Sequence, residues 1–381
     1  MIKYNKEGDL LFTVSKDHHP SVWYADNGEH IGTYHGHTGA VWCVAVNESS
    51  TLLLTGSADN SARLWDVPTG NELMVFKHPA PVRAVDFALG DGHFLTALDN
   101  IMGNKPTISV YELTPNIRQS ATGQSDSPTL KFIGHDGKIN RALWGPLNKT
   151  IVTCSDDASV RVWDAATGEQ IHKIHAHRDK VTDIQYAWDA SFLVTASKDG
   201  SAKLIDMDSF EIVKSYECDR PLNSAHISPL RECPYVIVGG GQDAMSVTTT
   251  SSKMGKLDAV FFHLVFEDEL GSVKGHFGPI NTLAIAPHGR RCARAAGPGM
   301  DGGAAVGSVK RHVARRGVRA LTRAKRMPRR GRGACASARG AALRAGARMA
   351  TCASTTSTRP TSQRRRRRST PPSSSRPPRS E

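Results

Sequence analysis

Short runs of alternating apolar and polar residues fill most of the first 290 positions, and they end at Gly, Asp and Asn. This alternation predicts β-strands with one buried face, separated by tight turns. One pattern of strand, turn, strand, turn and strand returns at a period of about 40 residues. It runs from Gly36-His37 through 40–46, 52–59 and 61–66, and again from Gly134-His135 through 138–144, 151–157 and 159–164.

Weaker copies of the pattern fill the remaining sequence. A third copy keeps Ala176-His177 and the run 192–199, but it has Ile205 where the first two have Trp65 and Trp163. Further copies lie around 77–87 and 218–243, and half copies lie at 9–26 and 275–287. Such a repeat is typical of four-stranded propeller blades. The predicted fold is all-β, a seven-bladed WD40 β-propeller that is incomplete at blades 1 and 7, followed by a disordered Arg-rich tail.

The repeat also sets the predicted boundaries. Residues 1–290 form the propeller and residues 291–381 the tail. The insert at 113–129, which is rich in Ser, Thr, Gln and Pro, is predicted to be a surface loop, and the apolar insert at 256–271 is predicted to form ordered outer strands. The blades are placed at about 1–33, 34–75, 76–130, 131–174, 175–216 and 217–272, with a fragment of blade 7 at 273–290.

The charge of the chain changes sign near residue 290. Residues 291–381 hold 24 of the 49 Lys and Arg but 2 of the 36 Asp and Glu, and no Phe, Tyr or Trp follows Phe277. This composition cannot bury enough apolar surface to offset the entropy of ordering. The tail is either a basic extension with nonspecific affinity for phosphates or the product of a shifted reading frame. The second is favoured, because GC-rich DNA read out of frame encodes Arg, Ala, Gly and Pro and the change falls inside a blade.

Four polar or aromatic residues recur at fixed positions in the blades: the Gly-His histidine, a Ser on the middle strand, an Asp in the next turn and the Trp of Trp-Asp. We expect each set to form a buried hydrogen-bonded chain that ties the strands together. A Ser-His-Asp hydrolase site is disfavoured, because a nucleophile occurs once and this set repeats. The sets are His37, Ser57, Asp59 and Trp65; His135, Ser155, Asp157 and Trp163; and His177, Ser197 and Asp199.

Two further patterns suggest ligand sites but are better explained by the fold. His172, His175 and His177 lie close in sequence, yet no Cys or carboxylate completes a metal set and His177 is used by its blade. The run 236–244 matches a dinucleotide fingerprint, but the β-branched segment after it disfavours the required helix. We therefore expect no catalytic residue, no metal and no cofactor. The sequence contains no run of about 18 apolar residues, so no membrane span is predicted.

Several longer strings are more specific than the blade pattern. They resemble the i subunit family of eukaryotic translation initiation factor 3 over about residues 2–285. The family ends its seventh blade with a Gly-rich turn and an aromatic strand and begins with a Gly-His segment, so we expect both halves of the ring closure to be missing here. The strings include GHTGAVWCV, TGSADNSARLWD, VTASKDGSAKL, VGGGQDAMSVTTTSS, GKLDAVFFH and VKGHFGPINTLAI.

This resemblance implies a noncatalytic scaffold subunit in the cytoplasm that supports 43S preinitiation complex assembly and scanning. The implied partners are initiation factor 3 subunits b and g, and the 40S ribosomal subunit through the complex, with no direct sequence-specific nucleic-acid contact and no membrane. The family's partner-binding face lies on blades 5 and 6, which makes Asp206, Asp219 and Arg220 candidates for protein binding. The alternative is a WD40 signalling adaptor associated with a receptor serine/threonine kinase, because one fold hosts many functions.

Overall fold

The computed structural model describes most of the first 308 residues. The described ranges are 1–100, 105–115, 117–118, 123–230, 234–241, 257–274, 278–289, 291–296 and 305–308. All of them belong to one compact unit, Met1–Lys325.

Antiparallel sheets built from consecutive strands make up this unit. Six of the sheets have four strands each and one has three. The first three sheets are β1 (Ile2–Tyr4), β2 (Leu10–Thr13), β3 (Ser21–Tyr24) and β4 (His30–Thr33); β5 (Val41–Val46), β6 (Leu52–Ser57), β7 (Ser61–Asp66) and β8 (Glu72–Lys77); and β9 (Val82–Phe87), β10 (His93–Leu98), β11 (Thr107–Glu112) and β12 (Leu130–Ile133).

The remaining sheets follow in chain order. They are β13 (Ile139–Trp144), β14 (Thr150–Ser155), β15 (Val160–Asp164) and β16 (Gln170–Ile174); β17 (Val181–Tyr186), β18 (Phe192–Ser197), β19 (Ser201–Asp206) and β20 (Ile212–Glu217); β21 (Leu222–Ile227), β22 (Tyr235–Gly240), β23 (Ala259–His263) and β24 (Glu269–Val273); and the three-stranded sheet of β25 (Ile280–Ile285), β26 (Arg291–Ala296) and β27 (Ala305–Ser308). Within the described ranges the helical structure is one 3-10 turn, Pro146–Asn148, and no helix is long and apolar enough to cross a membrane.

Burial falls from the second strand of each sheet to the fourth. Every residue of β6 and of β22 is buried, whereas four of the five residues of β16 are exposed. A strand that is covered on both faces needs apolar or small residues at consecutive positions, and the LLLTGS and YVIVGG runs supply them. The fourth strands are exposed or half-buried at most positions, as expected of an edge.

The hydrophobic core lies between the sheets. Each of seven clusters of buried side chains joins two successive sheets, so no cluster belongs to one sheet alone. One cluster joins the three-stranded sheet to the first sheet, through Ala284, Ala286 and Ala293 on one side and Ile2 and Tyr4 on the other. The fold is therefore a β-propeller with six four-stranded blades and a further three-stranded sheet between the sixth and the first.

The alternating strand directions place the connectors at two ends of each sheet. The connectors between first and second strands and between third and fourth strands share one end, here called the Trp188 end. The connectors between second and third strands and the links between sheets share the other, here called the His37 end. Asn5 on Ser50, Asn47 on Asp91 and Asn148 on Leu89 bond across neighbouring sheets at the Trp188 end, so the first four sheets point the same way.

Two expectations about the ring closure differ from the structure. Ile2–Tyr4 forms the first strand of a complete four-stranded sheet, and its register is set by pairing from Ile2 with Thr13 to Tyr4 with Leu11. Arg291–Ala296 and Ala305–Ser308, assigned to a disordered tail, are strands instead. The small Ala293 fits against the first sheet and Cys292 against the sixth, so these two residues are buried although the strand lacks large apolar residues. The predicted disorder of 297–304 and 309–381 lies outside the described residues.

The two inserts have different structures. Residues 257–274 contain β23 and β24, in agreement with the prediction of ordered outer strands. The described part of 113–129 contains no strand, although Leu113 and Ile117 are buried against the third sheet. The third sheet takes its fourth strand from Leu130–Ile133, a little beyond the predicted end of blade 3.

Close packing between sheets makes Gly56 a sensitive position. A Cβ at Gly56 would lie 2.5 Å from Cys43 Sγ and 2.6 Å from Val82 Cγ1 of the next sheet, whereas a Cβ at Gly32 would meet no atom within 4 Å. We expect Gly56→Ala to lower the free energy of unfolding by about 1–3 kcal/mol through overpacking. The matched control Gly32→Ala should change it by less than about 0.5 kcal/mol. Urea denaturation of the two purified variants measures the difference, and equal midpoints would contradict the packing argument.

Candidate functional site

A buried hydrogen-bonded chain runs through the second sheet. The indole N–H of Trp65 donates to Thr55 Oγ1 at 2.9 Å, and Thr55 Oγ1 lies 2.7 Å from His37 Nε2. On the other side of the imidazole, His37 Nδ1 lies 2.8 Å from Asp59 Oδ2. A neutral imidazole protonated at Nδ1 satisfies every contact, because it donates to the carboxylate and accepts the threonine hydroxyl. The chain therefore runs from Trp through Thr and His to Asp.

The same geometry recurs in the fourth sheet. His135 Nδ1 lies 2.9 Å from Asp157 Oδ2, and Thr153 Oγ1 bonds both His135 Nε2 at 2.7 Å and Trp163 Nε1 at 2.9 Å. In each of these two sheets the chain connects the link before the first strand to the second strand, the turn after it and the third strand.

In the fifth sheet the chain is one member shorter. His177 Nδ1 contacts Asp199 Oδ2 and Ser201 Oγ, both at 3.0 Å, and its Nε2 contacts Thr195 Oγ1 at 2.7 Å. Ile205 occupies the place of the Trp and is fully buried in the apolar cluster between the fourth and fifth sheets.

The predicted serines have a different place from the one expected. Ser57 Oγ donates to the carbonyl oxygen of Gly39 and accepts the backbone N–H of Asp59, so it fixes the turn rather than bridging His37 and Trp65. The bridging residue is the threonine two positions earlier, which sequence analysis missed. A second serine was also missed: the Ser61 hydroxyl donates to Asp59 Oδ1 at 2.6 Å, and Ser159 and Ser201 do the same in their sheets.

The electrostatics of these pairs follow from burial and hydrogen bonding. Burial lowers the pKa of His37, His135 and His177 and outweighs the bonds to the aspartates, so the imidazoles are neutral. Burial alone would raise the pKa of Asp59, but the hydrogen bonds from Ser61 and His37 outweigh it and bring the pKa to about 2. Each set is therefore a hydrogen-bond network around a neutral histidine inside its blade, and it recurs in three sheets.

The structure separates the candidate partner-binding residues. Asp206 ends β19 at the Trp188 end, and its carboxylate accepts the Ser209 hydroxyl at 2.8 Å, which lowers its pKa. Asp66 accepts Thr69 in the same way at the end of β7, so this arrangement is a repeated turn cap. Asp219 follows β20 at the His37 end, about 20 Å from Asp206 for a strand of this length.

Asp219 and Arg220 lie together at a cleft between the fifth and sixth sheets. The Asp219 side chain is 68% exposed, and its Oδ1 lies 3.6 Å from Nε of Arg220, whose side chain is 9% exposed. Within the described residues, the buried Nη1 of Arg220 has no hydrogen-bond partner. The cleft has a volume of about 390 Å³ and is lined by these two residues and by Glu217, Cys218, Asp258, Val260, Phe262, Glu269, Ser272 and Lys274.

The other two sequence patterns show no shared site. The ring of His172 lies against Phe210, with centroids 4.2 Å apart and the planes tilted by 30°, whereas His177 is held in its network. In the fingerprint-like run, Gly239 and Gly240 end β22, and a Cβ at Gly239 would lie 2.9 Å from Ile280 Cγ2 of the next sheet. Residues 242–256, which include the β-branched segment that disfavours a helix, lie outside the described residues.

Comparison with known proteins identifies the family, which the hydrogen-bond geometry does not. The family model described as EIF3I matches residues 1–305. The chain belongs to the EIF3I family. It is 46% identical over 289 residues to "Eukaryotic translation initiation factor 3 subunit I" of Bombyx mori, covering 76% of this chain and 86% of the relative. The protein of the same name from Homo sapiens is 45% identical over 289 residues, covering 76% and 87%, and that of Aspergillus terreus is 46% identical over 290 residues, covering 76% and 85%.

The EIF3I assignment confirms the resemblance seen in the sequence strings. It makes this chain a translation initiation factor, and nothing in these relatives favours the receptor-kinase adaptor. The family match ends at 305, so it includes β26 and reaches the first residue of β27. The relatives carry the name of an initiation factor subunit.

The bridging threonine gives a direct test of the network. Thr55→Val keeps the shape of the side chain but leaves the Trp65 indole N–H and His37 Nε2 without a partner in a buried place. We expect the free energy of unfolding to fall by about 1–3 kcal/mol. Thr55→Ser retains the hydroxyl and should be less destabilising than Thr55→Val. Chemical denaturation compares the two, and a smaller loss for Thr55→Val would contradict the bridging role.

The buried histidines predict a pH dependence of stability. A histidine whose pKa is lowered by folding stabilises fully above its unfolded pKa of about 6.5, and that stability is lost as the pH falls below this value. His37→Gln removes one such group, so between pH 6.5 and 5 its unfolding free energy should fall less steeply than that of the unsubstituted chain, by up to about 1.4 kcal/mol per pH unit. Urea titrations at four pH values measure both slopes, and parallel slopes would contradict a neutral, buried His37.

Proposed function

We propose that this chain is a noncatalytic scaffold subunit of translation initiation factor 3, acting in the cytoplasm in 43S preinitiation complex assembly and scanning. Family membership along the propeller is the observation that carries the proposal. The polar sets support a structural role, because they recur in three sheets with neutral histidines and their atoms are engaged within the blade. A hydrolase needs one nucleophile at an accessible site, which this repetition does not provide.

The scaffold is proposed to be a closed ring of seven blades, with β25–β27 as the seventh. The cluster that joins this sheet to β1 and β2 supports the closure, because it completes the series of inter-sheet clusters. Gly8 supports it too, since a Cβ there would lie 3.0 Å from Pro287 Cδ of the three-stranded sheet. A closed ring keeps every inner strand covered by its neighbours and leaves the fourth strands and connectors for partners.

The b subunit is the proposed occupant of the cleft between the fifth and sixth sheets. The buried N–H of Arg220 can donate a hydrogen bond to a backbone carbonyl oxygen of a bound segment. The exposed carboxylates of Asp219 and Glu217 can pair with basic side chains of that segment. Asp206 is proposed to contribute from the Trp188 end, provided that the segment follows the exposed strand β20 along its length. The g subunit is proposed to attach nearby, and the 40S ribosomal subunit is reached through the complex.

Affinity purification tests this proposal. The tagged full chain, expressed in cells depleted of their own subunit I, should recover subunits b and g and small ribosomal subunits. Asp219→Lys should lower the recovery of b about tenfold or more, because it reverses a charge at the edge of the cleft. The control Glu7→Lys reverses an exposed charge in the first sheet and should leave recovery unchanged.

Two outcomes would count against the proposal. Recovery of b that is unaffected by Asp219→Lys removes this residue from the interface. Failure of the unsubstituted chain to recover any initiation factor subunit overturns the scaffold role itself.

A further inference from the structure

Three large apolar side chains are exposed on neighbouring turns at the Trp188 end. Leu89, Leu147 and Trp188 are exposed by 62%, 71% and 51%, and they lie on the first-to-second connectors of the third, fourth and fifth sheets. The same connectors in the first and second sheets carry Lys6-Glu7 and Glu48-Ser49 instead. Among the fully described first-to-second connectors, those of the first five sheets, exposed large apolar side chains therefore occur on the third, fourth and fifth. They form the surface here called the Leu147 surface, which is defined by Leu89, Leu147 and Trp188. Val265 and Phe266 are also exposed at this end, on the third-to-fourth connector of the sixth sheet.

The turns that carry this surface are fixed to one another. The Asn148 amide bonds both backbone groups of Leu89, its Oδ1 accepting the N–H and its Nδ2 donating to the carbonyl oxygen, each at 2.8 Å. A Cβ at Gly145 would lie 3.2 Å from the hydroxyl of Tyr186, so the turn of the fourth sheet also touches the fifth. The three side chains are presented from a preformed rim, which lowers the entropic cost of binding.

Leu147 has a left-handed backbone at the position where the corresponding turn of the third sheet has Gly90, with φ 82°. For Leu147, φ is 57° and ψ is 22°, in the left-handed region that glycine or asparagine adopts more readily than leucine. Asn148 follows with φ 56°. A leucine in this region costs conformational energy relative to glycine, and strain of this kind is concentrated at functional sites. This turn therefore points to a contact outside the chain.

Most of the charges around the surface are negative. On the fully described connectors at the Trp188 end of the third to fifth sheets, the carboxylates are Asp91, Glu169, Asp189, Asp208 and Glu211, and the one basic side chain is Lys149. An apolar centre with an acidic margin complements a segment that combines apolar side chains with Lys or Arg.

We propose that the Leu147 surface binds a basic amphipathic segment of a partner protein. Its apolar side chains cover Leu89, Leu147 and Trp188, and its Lys or Arg side chains face the surrounding carboxylates. The surface lies at the opposite end of the sheets from Asp219 and Arg220, so both can be occupied together. The inference does not rest on the proposed scaffold role, because it is drawn from exposure, strain and charge alone.

A synthetic peptide tests the surface with the full chain. The probe is an 18-residue amphipathic peptide of Leu and Lys, and a second peptide has Glu at every Lys position. Calorimetry at physiological salt measures both affinities. The Lys peptide should bind at least about tenfold more tightly than the Glu peptide, and its affinity should fall as salt is raised.

Protein variants locate the binding. Leu147→Asn suits the left-handed backbone, so the variant should fold with an unchanged or higher melting temperature while its affinity for the Lys peptide falls about tenfold. Ile133→Asn removes an exposed apolar side chain at the His37 end and should bind like the unsubstituted chain. Equal affinity of Leu147→Asn and Ile133→Asn for the Lys peptide would overturn the proposal, as would equal binding of the Lys and Glu peptides.

Discussion

Each sheet of this chain can bury its faces only against the next sheet, and the rest of the architecture depends on this constraint. The apolar clusters all join successive sheets, so the stability of one blade is tied to its neighbours. Small residues on the second strands permit the approach. Gly56 faces Cys43 and Val82, and Gly239 faces Ile280, at positions where any side chain would force the sheets apart.

The polar networks belong to the same constraint. Twisted sheets packed face to face could slide, and apolar contacts alone would resist this weakly because they are not directional. The hydrogen bonds from Trp65 through Thr55 and His37 to Asp59 hold the link, two strands and a turn in one arrangement. Because these groups are buried, a group that lost its hydrogen-bond partner would lower the stability of the fold. The fifth sheet shows that the Trp can be replaced by Ile205 while the His, Asp and Thr remain, so the imidazole and its two partners are the essential part.

Periodicity predicted the strands well, because turns and alternation are local properties of the sequence. It predicted the His and Asp of each network and the Trp of two, but it included Ser57, Ser155 and Ser197 and left out the threonines that contact each histidine Nε2. A threonine within a strand is ordinary for a β-former, so Thr55 carried no signal by itself. Aligning the copies would have shown Thr two positions before each Ser, at Thr55, Thr153 and Thr195.

The edges of the repeat were harder to predict for a physical reason. Ile2–Tyr4 is too short to show alternation, and Arg291–Ala296 resembles the charged, Ala-rich sequence after it. Both are strands because an adjacent sheet supplies the apolar cover that their own sequence lacks. The distance between Asp206 and Asp219 was not predicted either, because a position in a blade does not reveal at which end of a strand it lies, and β20 separates the two.

The two ends of the sheets give the ring two different chemistries. At the His37 end, the cleft beside Asp219 combines exposed carboxylates with the buried N–H of Arg220, which suits a polar, directional contact. At the Trp188 end, Leu89, Leu147 and Trp188 offer apolar area with an acidic margin, which suits a contact with little directional bonding. Because the first 290 residues are net acidic, basic partners are attracted to both ends. Charge alone does not discriminate between two basic partners. Discrimination must then come from the buried Arg220 at one end and the apolar area at the other.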